Sequence, residues 1–124
     1  RQGVSMTPLG QKLRQMREER GVSLKDMAKA LRVSSAYLSA LEHGRRGKPT
    51  WMLLQRIIAY FNVIWDEAED LQRLAEMSDP KVTIDTAGMA PEATEFANRL
   101  ARDIGKLARE DLSFLSAELT RRLK

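Results

Sequence analysis

Residues 23–50 read SLKDMAKALRVSSAYLSALEHGRRGKPT, a stretch that predicts two short helices separated by a polar break. Ser23 stands three residues before Asp26, the spacing of a capping box that begins a helix. The apolar residues that follow share one helix face, Leu24, Met27, Ala28 and Leu31. After the break at residues 32–33, Ser34 is expected to cap the second helix.

The second of these helices is predicted to have two unlike faces. At about 100° per residue, Leu38 and Leu41 form a buried side, and Gly44 ends the helix. The opposite side is small and uncharged, and it carries Ser35, Ala36, Ser39, Ala40 and His43, with Tyr37 at its boundary. Solvent faces are usually rich in Lys and Glu, so this composition favours a contact surface over an ordinary exposed face. Small side chains would let such a helix lie close to base edges in a DNA groove.

Basic residues flank this helix. Arg45, Arg46 and Lys48 follow on a glycine-bearing loop, and Lys25 lies at the capped start of the preceding helix. Cations and helix N-termini both favour phosphate groups, and each phosphate contact would release a counterion. Two short helices joined by a tight turn are typical of the helix-turn-helix unit, whose second helix enters the major groove.

The helical period continues on both sides of the opening stretch. Between Pro8 and Gly21, apolar residues recur at i, i+4 and i+7 and predict a first helix, Leu9, Leu13 and Met16. Thr50 can cap a fourth helix with the apolar residues Leu54, Ile57, Ile58 and Phe61. A fifth is predicted from about residue 65 to 77, with Ala68, Leu71, Leu74 and Ala75 inward.

The back of the chain is organised differently. Residues 78–80, Ser-Asp-Pro, predict a helix stop and a domain boundary. Residues 81–85 alternate polar and apolar side chains, which leaves open an extended linker or a short strand paired with its copy in a second subunit. A further helix is predicted beyond them, with one apolar face made of Phe96, Leu100, Ile104 and Leu107. Residues 109–124 carry leucines at spacings of 3, 4 and 4, Leu112, Leu115, Leu119 and Leu123.

These patterns predict an all-α chain with one DNA-binding domain and an appendage. The expected domain covers residues 6–78, a linker or short strand covers 79–88, and a helical region for dimerisation or a partner covers 89–124. Residues 1–5 precede Met6 and are interpreted as a remnant of cloning, with the natural start at Met6.

Charge and composition narrow the classes of function. Residues 1–50 carry a formal charge of +7 and residues 51–124 carry −3, within a net charge of +4 for 124 residues. A basic front half indicates an anionic partner, although an uneven solvated surface is the other interpretation. The absence of Cys excludes disulfides and thiolate metal sites and fits a cytoplasmic location. No apolar run approaches the ~18 residues of a membrane span.

An enzyme is not expected. The sequence has no glycine-rich phosphate loop and no paired-carboxylate signature, so no catalytic residue is predicted. His43 is the only His, and a lone His without Cys makes a poor metal site. We therefore expect neither a metal nor a cofactor.

The opening stretch resembles the helix-turn-helix of the phage repressor and Cro family, the XRE-type regulators. GQKLRQMREERG is similar to the first helix of that family, and PTWMLLQRIIAYFNVIWDEAEDL is similar to its fourth and fifth. The resemblance covers roughly residues 7–75 and implies a five-helix lambda-repressor-like domain, followed here by C-terminal helices. Residues 79–124 resemble no family that we can name.

The resemblance also implies roles for individual residues. The expected base-contacting set is Ser35, Ala36, Tyr37, Ser39, Ala40 and, at the end of the helix, His43. With the flanking cations included, the expected phosphate-contacting set is Ser23, Lys25, Arg32, Ser34, Arg45, Arg46 and Lys48. Arg17 and Glu42 match an Arg–Glu pair that links the first and third helices, and we interpret that pair as structural.

The sequence departs from the family pattern at three positions. Leu24 and Ser35 stand where many relatives have Gln, and Arg32 stands where the turn usually has Gly. Without Gln or Asn on the reading face, bidentate recognition of adenine is excluded there. Specificity would then depend on Tyr37, His43, a loop Arg or the shape of the DNA.

The expected function is that of a sequence-specific, double-stranded DNA-binding transcription regulator acting as a homodimer on a palindromic operator. The expected dimer interface is Phe96, Leu100, Ile104, Leu112, Leu115 and Leu119. Two alternatives remain open for this C-terminal region. It could cap the core of its own subunit, or it could bind another protein, as in an antitoxin-like autoregulating adaptor.

Overall fold

The structure, a computed structural model, describes residues 6–124, and the expected cloning remnant at residues 1–5 lies outside the described residues. Within that range the chain forms seven α-helices, which are α1 Pro8–Arg20, α2 Leu24–Leu31, α3 Ser35–Glu42, α4 Trp51–Phe61, α5 Trp65–Glu76, α6 Pro91–Asp103 and α7 Arg109–Leu123. A single 3-10 turn, Ile104–Lys106, separates α6 from α7. Residues 6–124 contain no strand, so the predicted all-α class is confirmed.

The chain divides into two compact units, one reaching to Val82 and the other covering Thr83–Lys124. Residues 81–85 have no regular secondary structure within the single chain. The two interpretations of this segment, a linker or a strand paired with its copy in a second subunit, both stay predictions. None of the helices between residues 6 and 124 has the length and apolar character of a membrane-spanning helix.

Hydroxyl side chains begin the first four helices. In each, the oxygen accepts a hydrogen bond from the backbone N–H three residues further on, at 3.0 or 3.1 Å. The capping residues are Thr7, Ser23, Ser34 and Thr50. Each bond satisfies a backbone donor that the helix itself leaves unpaired, so the predicted starts after Ser23, Ser34 and Thr50 are confirmed.

Left-handed residues end three of these helices. Gly21 after α1, Arg32 after α2 and Asn62 after α4 have φ values of 65°, 62° and 55°. Glycine adopts the left-handed conformation freely, whereas this conformation costs a residue with a side chain roughly 1–2 kcal/mol. The α2–α3 turn therefore keeps its left-handed geometry although Arg32 stands where the family usually has Gly.

Helices α1–α5 enclose one hydrophobic core. All five helices contribute apolar side chains with at most 1% exposure, which are Leu9, Leu13, Met16, Met27, Ala28, Leu31, Leu38, Ile57 and Leu71. Ala75 is also buried, whereas Ala68 and Leu74 are half-buried against the same core. The predicted inward faces are therefore the faces that pack.

Helix α1 approaches the end of α3 very closely at Gly10. A Cβ atom on Gly10 would lie 2.0 Å from the carbonyl oxygen of Glu42, so no larger residue fits without displacing one of the helices. The backbone N–H of Thr7 donates to the same oxygen at 3.2 Å. Gly10 thereby fixes the separation of α1 from the third helix.

Ser78 connects the end of α5 to the start of α1. Its Oγ accepts a hydrogen bond from the backbone N–H of Leu9 at 2.9 Å and donates one to the carbonyl oxygen of Leu74. Ser78 is only 5% exposed, so these bonds are shielded from water. One buried hydroxyl thus satisfies backbone groups at two helix termini.

The C-terminal unit departs from the prediction where α6 ends. The spacing of apolar residues predicted that Ile104 and Leu107 continue the helical face of Phe96, and this is wrong because α6 stops at Asp103. Ile104 begins the 3-10 turn, which contains the weak helix former Gly105, and Leu107 is extended at φ −86° and ψ 140°. No residue between Thr83 and Lys124 is buried.

Candidate nucleic-acid interface

One face of helix α3 packs in the core, and the opposite face is accessible to solvent. Leu38 and Leu41 are 0% and 4% exposed and pack into the core of the first unit. On the other side Ser35 and Ala36 are exposed, and Ser39 and Ala40 are half-buried. The helix therefore presents small side chains outward from a fixed base.

An ion pair fixes the end of α3 to α1. The Arg17 Nη2 and Nε atoms donate to the two carboxylate oxygens of Glu42 at 3.0 and 3.2 Å. Their side chains are only 11% and 2% exposed, so the pair lies inside the domain and not on its surface. Such a bidentate pair restricts both the position and the rotation of α3.

Exposed cationic residues follow α3 and lie at both ends of α2. Arg45, Arg46 and Lys48 are exposed on the loop between α3 and α4, where Gly44, at φ 76°, turns the chain. The side chains of Lys25 and Arg32 are exposed at the two ends of α2. Their ammonium and guanidinium groups are therefore accessible to an approaching polyanion.

The two capping serines are exposed as well. The Oγ of Ser23 accepts from the N–H of Asp26, and the Oγ of Ser34 accepts from the N–H of Tyr37. A hydroxyl has one donor in addition to its acceptor lone pairs. Capping therefore leaves each O–H able to donate to a phosphate oxygen.

His43 lies in a different environment from the other predicted base-contacting residues. It is half-buried, and its Nδ1 lies 2.8 Å from the carbonyl oxygen of Ser39, to which it can donate. It lines a cleft together with residues 6–8 and 77–80. The structure thus brings Ser35, Ala36, Tyr37, Ser39 and Ala40 together on α3 and sets His43 against the start of α1.

The sequence patterns did not predict two features of this region. The guanidinium carbon of Arg46 lies 5.3 Å from the centroid of the Tyr37 ring, which joins the loop to the first turn of α3. Trp51 is 71% exposed at the first position of α4, where it lines an open cleft that also includes Lys48. An aromatic residue directly after a basic loop, as in KPTW, is the pattern that would have indicated the second feature.

The predicted dimer residues lie in the second unit. Leu100 is half-buried, and the other five have exposures between 39% and 65%, Phe96, Ile104, Leu112, Leu115 and Leu119. Phe114 and Leu123 of α7 add two further exposed apolar side chains, at 68% and 77%. These helices therefore expose much of their apolar surface in the single chain.

The first unit coincides with a known family of domains. A family model described as a helix-turn-helix domain matches residues 8–71. The HTH-type transcriptional regulator DdrOP3 of Deinococcus deserti is 42% identical over 55 residues, which are 44% of this chain and 42% of that protein. The HTH-type transcriptional regulator SinR of Bacillus subtilis is 33% identical over 55 residues, which are 44% of this chain and 50% of SinR.

A solved structure is similar as well. The clp gene regulator ClgR from C. glutamicum is 35% identical and aligns over 56% of this chain and 84% of that chain, with a TM-score of 0.46. The chain spans half or less of the length of the curated relatives DdrOP3 and SinR. The family match begins at Pro8 in the first turn of α1 and extends into α5. The chain belongs to the helix-turn-helix domain family, among its XRE-type regulators.

Proposed function

We propose that this protein is a sequence-specific transcription regulator that binds double-stranded DNA as a homodimer, with α3 in the major groove. Membership of the helix-turn-helix family supports DNA-binding regulation. The observation that carries the finer proposal is the asymmetry of α3, which is buried through Leu38 and Leu41 and exposes Ser35 and Ala36. A helix fixed in this way presents its first turn to base edges without moving.

In this proposal the cations position the domain on the duplex. Arg45 and Lys48 bind phosphates on one side of α3, and Ser23 and Lys25 bind them at the start of α2. Arg32 and Ser34, at the turn between the helices, complete the backbone contacts. The formal charge of +7 on residues 1–50 supports this arrangement because it draws the basic half toward the polyanion.

Helix α3 offers only a few types of direct contact to bases. Ser35 and Ser39 can donate to or accept from bases, and Ala36 and Ala40 can contact thymine methyl groups. Tyr37 adds a phenol at the edge of this face. Because His43 turns toward the start of α1, we give it no base contact in this proposal.

The C-terminal unit supports a homodimer. It covers Thr83–Lys124, contains no buried residue and exposes the apolar side chains of α6 and α7. A unit this short needs partner surface to stabilise it, and large exposed apolar patches mark interaction sites. A second copy would cover these faces and pair two recognition helices at half-sites about 34 Å apart. We thus propose residues 6–78 as the DNA-binding domain, 79–88 as the linker and 89–124 as the dimerisation region.

Selection of bound duplexes from random DNA tests this proposal together with sedimentation of the free protein. We expect a palindromic motif and a species of about twice the 14.1 kDa chain mass at micromolar concentration. Leu115→Asp with Leu119→Asp should give a monomer that favours single half-sites. The matched control, Ser113→Asp with Ala117→Asp, adds the same charges to the same helix on a side away from the leucine stripe and should remain dimeric.

Two results would contradict the proposal in separate ways. If no sequence is enriched, the reading role of α3 is wrong. If the wild-type chain sediments as a monomer and becomes ordered only with a different protein, the C-terminal helices are a partner-binding region and the antitoxin-like adaptor is the better description.

A further inference from the structure

The guanidinium group of Arg46 lies over the ring of Tyr37, which is itself held in place. Its guanidinium carbon lies 5.3 Å from the centroid of the Tyr37 ring. Tyr37 itself is half-buried and packs against the hydrophobic core, and its backbone N–H donates to the cap Ser34 at 3.0 Å. The ring is therefore anchored at both its side chain and its backbone.

The donors of Arg46 are free to meet a ligand. The side chain is exposed, and none of the ion pairs formed within residues 6–124 involves it. An Arg whose guanidinium lies over an aromatic ring is restricted in position and loses less freedom when its planar fork binds. A phosphate contact alone does not require this arrangement, because phosphate is also bound by the point charge of a Lys ammonium.

The face of α3 lacks a group that distinguishes bases strongly. Ser35, Ala36, Ser39 and Ala40 offer hydroxyl and methyl contacts only. A guanidinium fork that meets N7 and O6 of guanine makes the commonest specific contact to DNA, and such a bidentate pair discriminates about 5- to 150-fold. Arg46 is the planar two-donor group that lies at the edge of this face, against Tyr37.

We propose that Arg46, held by the ring of Tyr37, donates two hydrogen bonds to N7 and O6 of one guanine in each half-site. This inference rests on the proposed function, and it moves Arg46 from the phosphate-contacting set to the base-reading set. Arg45 and Lys48 retain the phosphate role. Tyr37 acts as a positioning residue for the reading group.

The test uses the full chain and the operator obtained by selection. Arg46→Lys preserves the charge but removes the fork, and Arg45→Lys is its matched control one residue away. Tyr37→Leu removes the ring and keeps an apolar side chain on the core, whereas Tyr37→Phe keeps the ring. Affinity is measured by titration over a range of salt concentrations. The probes are the operator and versions with 7-deazaguanine, which lacks N7, at each guanine in turn.

We expect 7-deazaguanine at one symmetry-related guanine to weaken wild-type binding about fivefold or more. Arg46→Lys and Tyr37→Leu should bind the normal operator about tenfold more weakly, with an unchanged salt slope and no response to that 7-deazaguanine. Arg45→Lys and Tyr37→Phe, whatever their overall affinity, should keep the wild-type response to that 7-deazaguanine, because both retain the Arg46 fork over an aromatic ring. Thermal unfolding of each variant separates a lost contact from a lost fold.

The inference is overturned if Arg46→Lys binds like Arg45→Lys and the wild type ignores 7-deazaguanine at every position. That outcome leaves the proposed function intact, because the operator is still recognised. If the wild-type chain selects no operator at all, the proposed function itself has failed. If Tyr37→Leu unfolds, the role of Arg46 is still decided by comparing Arg46→Lys with the wild type on the 7-deazaguanine probes.

Discussion

Arg17 of α1 donates two hydrogen bonds to the carboxylate of Glu42, a group that is only 2% exposed at the end of α3. Helix α3 is therefore fixed to α1 through a desolvated pair. Removing one member of such a pair leaves the other charge buried without a counterion.

We expect Arg17→Met to lower the free energy of unfolding by about 3–5 kcal/mol, because Glu42 then remains buried without its counterion. The double change Arg17→Met with Glu42→Leu should recover most of that loss. Urea unfolding measures both. The control Arg14→Met removes an exposed pair with Glu18 and should cost at most about 1 kcal/mol. Equal losses in the single and double variants would contradict the explanation by a buried, unpaired charge.

Gly10→Ala should destabilise the first unit through overpacking. The added methyl would lie 2.0 Å from the Glu42 carbonyl oxygen, so α1 and α3 must separate, at a cost of about 1–3 kcal/mol or more. Gly47→Ala is the matched control, since its added methyl meets only the Asp79 carboxylate at 3.8 Å. Thermal melts of the two variants give the comparison, and equal melting temperatures would show that the helices tolerate the separation.

Two substitutions at Ser34 separate its cap from its proposed contact with DNA. Ser34→Ala removes the hydrogen bond to the Tyr37 N–H and should cost about 1 kcal/mol of stability. Ser34→Asp keeps a cap and adds a favourable negative charge at the helix N-terminus, so stability should hold. Its carboxylate should nonetheless weaken binding to all duplexes through repulsion of phosphates. Wild-type affinity in Ser34→Asp would place this residue away from the DNA backbone.

Arg45→Ala with Lys48→Ala should flatten the salt dependence of binding. Each lost phosphate contact should reduce the slope of log K against log salt by about 0.9, or about 1.8 for the pair. Preference among sequences should change little. Arg73→Ala, on α5 and paired with Asp70, removes a cation outside the proposed interface and serves as control. An unchanged slope in the double variant would remove the loop from the backbone contacts.

Acidification should loosen the last turns of α7. Hydrogen bonds from Arg121 and then Arg122 hold the pKa of Glu118 below its ordinary value. A lowered pKa stabilises the folded state above the ordinary value, and this contribution is lost as the pH falls through the lowered one. Helicity measured by circular dichroism from pH 7 to pH 2 should therefore fall more in the wild type than in Glu118→Gln. The effect should be small because the pair is exposed.

Local patterns in the sequence predicted the helix starts and the two faces of α3. Ser23, Ser34 and Thr50 cap helices through bonds that span three residues, so sequence spacing alone contains the information. The end of α6 was not predicted, because apolar spacing continued past Asp103 while the backbone tightened around Gly105. Periodicity describes which residues share a face and does not locate where a helix stops.

Contacts between distant segments could not be predicted. The approach of Gly10 to Glu42 depends on how α1 packs on α3, and the environment of His43 depends on the path of residues 77–80. The placement of the Arg46 guanidinium over the Tyr37 ring depends on the fold of the loop after α3. These relationships arise from tertiary placement, which no spacing within one helix encodes.

The hydroxyl of Ser78 has a consequence for how the domain is made. It supplies a hydrogen-bond acceptor to the Leu9 N–H across 69 positions of sequence, so the first turn of α1 lacks this partner in any shorter chain. A fragment that ends at residue 77 would leave that N–H and the Leu74 carbonyl without the bonds that Ser78 provides. During synthesis, the first helix therefore reaches its final hydrogen bonding only after residue 78 has left the ribosome.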